Sequence, residues 1–134
     1  MPDDVLTDLA EILLRQIHPS WVQDGRVTGQ AFRPSAKDAG LLSVSRSSVT
    51  SPAEAWRRYT QEFNLKSDGV WGVSVGECSE EDLPARAAPE PGPEPPKDDA
   101  HAVIDFSGVI SKSQCEARGT RLARKASLRG RLAP

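Results

Sequence analysis

The sequence predicts a small α+β domain: a mixed or antiparallel sheet of about four strands, covered by two or three helices. Three observations predict it. Short runs rich in Val, Leu, Ile and Trp (LLSVS at 41–45, VWGVSV at 70–75, HAVIDFS at 101–107) have strand composition. Serines at 51 and at 111 or 113 open stretches with helix-start chemistry. The order of elements reads helix, strand, strand, helix, strand, linker, strand, helix.

The first element is VLTDLAEILLRQI. Leu6, Leu9, Leu13 and Ile17 fall at helical spacing, Asp3 or Asp4 can cap the start, and Pro19 stops it. ILLRQI alone fits a buried strand equally well. Asp24-Gly25 marks a turn. RVTGQAF then alternates loosely as a strand, with Val27 and Phe32 as core candidates, until Pro34. After LLSVS, the run Ser51-Pro52-Ala53-Glu54 is a capping box with proline at the first helical position. That helix runs to Phe63 or Asn64 and buries Ala55 or Trp56, Tyr59 and Phe63. Val70, Trp71, Val73 and Val75 then predict an interior strand.

Six of the eleven prolines lie between Pro84 and Pro96, which predicts an extended, acidic linker at about 84–99. HAVIDFS is expected to return beside VWGVSV. The last helix is predicted over about 112–129, with Cys115, Gly119, Leu122 and Ala126 on one thin stripe.

With 134 residues and 37% hydrophobic content, a single domain spanning 1–134 with a modest core is expected. The net charge of −2 hides a split: residues 77–99 are acidic, and the chain from Lys112 onward is basic. Cys78 and Cys115 have no CxxC or zinc spacing and are read as free, buried residues. With two histidines and no ligand spacing, no metal is expected. The acidic start does not resemble a signal peptide, and no apolar run approaches the roughly 20 residues that span a bilayer. The expectation is a cytoplasmic protein without a membrane partner. Phosphate-loop, dinucleotide-fingerprint and HExxH motifs do not occur.

Residues 18–38 are the densest in functional side chains. His18, Trp21, Asp24, Arg26, Gln30, Phe32 and Arg33 are read as a binding surface, since aromatic and Arg residues anchor interfaces. A catalytic reading of the same stretch makes His18 a base oriented by Asp24, with Arg26 or Arg33 holding an anion. Cys115 at a helix start, or Cys78 beside His101, is the nucleophile alternative. On the last helix, Arg118, Arg121, Arg124, Lys125 and Arg129 could neutralise nucleic-acid phosphates.

Two resemblances add to this. The runs HPSWVQDGRVTGQAFRPSAKDAGLLSVS, SPAEAWRRY, GVWGVSVGEC and HAVIDFS resemble a family of small uncharacterised bacterial proteins with an HPxxxQDGRVxxQAFRPxxKD signature. That resemblance implies a compact single domain and supplies no activity. Separately, Arg15 in LLRQI, Ser43 or Ser45 in LLSVS and Glu77 in VSVGE are similar in order to the Arg, Ser and Glu of ADP-ribosyltransferases and related NAD-degrading toxins. This implies NAD as ligand. The Arg would hold the phosphates, the Ser the nicotinamide ribose, and the Glu the charge at the anomeric carbon. The chain departs from that pattern in having SVS for Ser-Thr-Ser and no Glu-x-Glu. The leading expectation is a non-catalytic protein-interaction module with a protein partner and no cofactor. An NAD-using enzyme and a nucleic-acid binder are the alternatives.

Overall fold

A computed structural model of the chain describes residues 5–35, 39–90 and 98–134. Asp3, Asp4, Lys37, Asp38 and residues 91–97 of the linker lie outside that range. The apolar runs form a five-stranded antiparallel sheet in the order β5-β1-β4-β7-β6. Its strands are β1 (Ile12–Ile17), β4 (Leu41–Arg46), β5 (Gly69–Ser74), β6 (Ala85–Ala87) and β7 (His101–Asp105). A separate hairpin joins β2 (Val22–Gln23) to β3 (Arg26–Val27). Its turn residues Asp24 and Gly25 both have positive φ, 51° and 75°, the backbone that a tight two-residue hairpin requires.

Both sheet faces are covered. On one face, Leu13, Ile17, Leu42, Val44, Trp71, Val73 and Ile104 pack with Leu122, Ala123 and Ala126 of α3 (Lys112–Arg129) and with Phe32. On the other, Leu14 and Val70 pack with Ala55 and Trp56 of α1 (Pro52–Arg57) and with Leu132 and Ala133. Gln16 fastens α1 to the sheet: its amide donates to Ala55 O (3.0 Å) and its carbonyl accepts from Ser67 Oγ (2.8 Å). The sheet edges, where unpaired strands invite association, carry chain ends. Val70 of β5 exchanges hydrogen bonds with residues 132–133, and Leu6 N donates to Ala85 O of β6.

Four sequence-based expectations need correction. Residues 5–17 do not form a helix: ILLRQI is β1, because its place between β5 and β4 pairs its backbone on both sides. RVTGQAF is strand only at Arg26–Val27; Gly29–Phe32 is a 3₁₀ turn. The predicted linker begins later, because Ala85–Ala87 pair with β7 as an edge strand. β7 lies between β4 and β6, not beside β5.

The 3₁₀ turn has a packing reason. A Cβ on Gly119 would lie 3.0 Å from Phe32 O and 3.1 Å from Gly29 O, so only glycine lets α3 approach that backbone. The small-residue stripe of the last helix is thus a close seam. A short helix absent from the sequence reading, α2 (Val75–Glu80), follows β5. Ser74 and Glu77 form its capping box, each side chain accepting the other's backbone N–H (3.0 and 2.8 Å). The predicted box at Ser51 is half made: Ser51 Oγ accepts from Glu54 N, while the Glu54 carboxylate takes Arg57.

Candidate functional site

β1 pairs with β5 along its full length but with β4 only through Leu13 and Leu14. Beyond Leu14 the two strands part, and the wedge between them opens a cleft of about 340 Å3. That is the small end of the range for ligand sites, about 300–1,000 Å3. The turn after β1 supplies His18 and Trp21, and β4 supplies Ser43 and Ser45. Tyr59 and Phe63 come from the helical stretch after α1, and Asp98 and His101 from the entry to β7.

Local physics sets each side chain. Arg15 enters the wedge, donating from Nε to Ala31 O (2.9 Å) and from Nη1 to Ser43 O (3.0 Å). Its guanidinium lies over the Trp21 ring, 5.5 Å from the centroid, a cation–π arrangement. His18 caps the 3₁₀ turn Pro19–Trp21, its Nδ1 accepting from Ser20 N (3.1 Å). Arg58–Glu62 form a π-helical turn, a departure from α geometry common at functional sites. Tyr59 on this turn and Phe63 just after it line the cleft. Arg58 reaches Asp98 Oδ1 (3.4 Å), tying that turn to the start of β7.

Ser43 and His101 face the same side of neighbouring strands, two positions apart in register. His101 Nδ1 is 2.7 Å from Ala88 O. A carbonyl can only accept, so Nδ1 carries a proton, and in the neutral ring Nε2 is then the acceptor. Nε2 stands 3.3 Å from Ser43 Oγ. Glu90 Oε1 lies 3.7 Å from Nδ1.

The predicted site residues are thus divided. Arg15, His18, Trp21 and Ser43 meet in the cleft. Asp24 and Arg26 are exposed at the hairpin, and no hydrogen bond joins Asp24 to His18 among the described residues. Gln30 is exposed and Arg33 half-buried. Phe32 is fully buried, so it braces the core and offers no surface to a partner. Glu77 does not line the cleft. It caps α2 and holds Arg129 through two bonds (2.9 and 3.2 Å). Burial pushes its carboxyl up, but Arg129 and the Ser74 amide outweigh this and hold it below the ordinary value.

Of the basic helix, Arg118 and Arg121 bond to Glu81 and Arg129 to Glu77, while Arg124 and Lys125 face outward. Cys78 is buried, and burial with nearby Glu77 and Glu81 pushes its thiol up to about 12, so the thiolate does not form at neutral pH. Cys78 and Cys115 are both free thiols. Among the described residues no cluster of His, Cys, Asp and Glu could hold a metal, and no helix is long and apolar enough to cross a membrane.

The sequence reading missed Tyr59 as a cleft residue, along with Phe63, Asp98 and the Ser43–His101 contact. A signal existed for the last: Ser43 and His101 are polar residues at outward positions of strongly apolar strands. Comparison with protein-family models, curated proteins and solved structures found no match to the chain.

Proposed function

We propose that the wedge between β1 and β4 is a small-molecule site for a nucleotide-class ligand, a flat base joined to phosphate. One observation carries this reading: a guanidinium stacked on Trp21 shares a recess with two further aromatic rings, two serines and two imidazoles. Aromatic faces suit a base, worth about 1–3 kcal/mol per stacked ring. Arginine suits phosphate, through charge-assisted bonds. Asp98 and the serines suit ribose hydroxyls. NAD belongs to this ligand class, and the cleft contains Arg15 and both serines, Ser43 and Ser45, of the ADP-ribosyltransferase resemblance, but not its Glu77.

Calorimetric titration with AMP, ADP, NAD and adenosine tests it. Phosphorylated ligands are expected to bind at least about tenfold more tightly than the nucleoside. Arg15→Ala is expected to remove that advantage, and Trp21→Ala to weaken all of them. Glu77→Gln should leave binding unchanged. Absence of heat with every nucleotide at millimolar concentration would end the reading.

A protein-interaction role is the second reading, favoured by a groove of about 460 Å3 between the hairpin and α3. Arg26 and Arg124 line it beside Leu128, which is 81% exposed. An acidic peptide with an apolar residue fits that groove. Fluorescence polarisation with a Glu/Leu peptide should show salt-sensitive binding that is lost in the R26E/R124E variant. Equal binding by that variant, or none by the natural chain, counts against it.

A further inference from the structure

We propose that Ser43 is a nucleophile activated by His101, and that the cleft acts on a carboxylic ester with an aromatic or apolar part. The proposal rests on the cleft being a ligand site, not on the ligand being a nucleotide.

Three observations combine. The bond from His101 Nδ1 to Ala88 O fixes the tautomer in which Nε2 accepts, the one a general base needs. The acceptor faces a hydroxyl: Ser43 Oγ is 3.3 Å away, within the looser range seen before substrate tightens a catalytic contact. Both groups open into the cleft, since Ser43 is exposed and His101 lines the recess. A structural hydrogen bond between strands needs neither the fixed tautomer nor the opening. Glu90 Oε1, 3.7 Å from Nδ1, adds negative charge behind the ring where imidazolium would form. Arg15, bonded to the backbone carbonyl of Ser43 and lining the same cleft, adds positive charge to the recess. Trp21, Tyr59 and Phe63 supply the apolar walls.

The step balances without a redox partner. The Ser43 proton passes to His101 Nε2 as Oγ bonds to the ester carbonyl carbon, and the carbonyl π pair moves to oxygen. Collapse expels the alcohol oxygen, which takes the proton from Nε2. Water then repeats the sequence, releasing the acid and restoring Ser43.

A fluorophosphonate probe tests this on the full chain. Oγ displaces fluoride from phosphorus, and the proton leaves through Nε2. Intact-mass analysis is expected to show one adduct, mapped to Ser43, absent in Ser43→Ala and retained in Ser79→Ala, whose serine is exposed on α2 away from the cleft. Labelling should slow by about 100-fold or more in His101→Gln. His101→Asn can keep a donor toward Ala88 O without supplying a base. It should be equally slow while its circular dichroism matches the natural chain. Hydrolysis of p-nitrophenyl butyrate should follow the same ranking. No adduct on Ser43, or equal labelling in a folded His101→Asn, overturns the proposal. Nucleotide binding without labelling defeats this proposal alone; labelling without nucleotide binding defeats the nucleotide reading alone.

Discussion

Replacing Phe32 with alanine is expected to lower the unfolding free energy by about 3–5 kcal/mol, the cost of a large cavity in a packed core. Phe32 is fully buried under α3, at the seam where glycines 29 and 119 let two backbones meet. Backbone on both sides limits how far the site can collapse to fill the void. For a domain this size the whole stability is on the order of 5–15 kcal/mol, so the loss is a large share. Urea unfolding followed by Trp fluorescence measures it, with an unchanged m-value as the check that one transition is compared. Gly119→Val attacks the same seam by overfilling it, at about 1–3 kcal/mol or more. A loss under about 1 kcal/mol for Phe32→Ala would mean the seam is not packed as described. The effect should reach the cleft, because Ala31, the residue before Phe32, offers the carbonyl that orients Arg15.

Much of the architecture was legible because burial writes a pattern into short strands. LLSVS alternates exposed and buried through Val44, and HAVIDFS has a buried centre. The extent of α3 could be read from local chemistry alone and its cap narrowed to Ser111 or Ser113; the structure uses Ser111, whose Oγ accepts from Gln114 N at the helix start. Three of the four failures share one cause, pairing partners far along the chain; the 3₁₀ turn at Gly29–Phe32 instead answers to packing against α3. VLTDLAEILLRQI carries a helical period, yet β1 is the strand on which both β5 and β4 pair, and the ladder overrides the local preference. Ala85–Ala87 sit in proline-rich sequence, where composition argues against a strand. Edge position makes pairing there tolerable, with β7 on one side and the bridge from Val5 to Arg86 on the other.

The site was legible in part. His18 and Trp21 could be singled out by residue type, and Arg15 and Ser43 through the order of an Arg, a Ser and a Glu along the chain. That they share a space depends on β1 and β4 parting after Leu14, which no local pattern records. His101 lies 58 residues from Ser43 and became its neighbour only through the β4–β7 register. Glu77 shows the reverse. Its place at a strand end drew a functional reading, whereas its neighbours Ser74 and Arg129 make it a helix cap and an ion pair.

Glu11→Gln is expected to cost about 2–4 kcal/mol at neutral pH, below the roughly 3–5 kcal/mol for breaking a fully buried pair. The discount reflects Arg46, whose side chain is 27% exposed against 4% for Glu11. Glu11 Oε2 accepts from Arg46 Nε (3.1 Å), Ser48 N (3.2 Å) and Ser48 Oγ (2.6 Å), and Oε1 accepts from Arg46 Nη2 (3.1 Å). Burial pushes the Glu11 carboxyl up, but the bonds from Arg46 and Ser48 outweigh it and hold it below the ordinary value. A folded-state value below the unfolded one, about 4.3, stabilises fully above that pH. The stabilisation is lost as pH falls through the folded value. The gap between natural chain and variant should therefore be widest at neutral pH, narrow once pH falls below the unfolded value, and close as pH passes below the folded one. Glu54, Glu77 and Asp105 are also held low, by Arg57, by Arg129 and by Ser107 with Arg86, so the natural chain alone would mix four titrations. Subtracting the variant isolates Glu11. A gap equally wide at pH 3 and pH 7 would show that the side chain matters through shape and not charge. Glu11 also accepts from Val75 N through its backbone oxygen, so the clamp joins β1, β4 and the end of β5 where the first two strands still pair. Weakening it lets β1 and β4 part earlier. Ligand affinity in the wedge should then fall in Glu11→Gln, although Glu11 touches no part of the cleft.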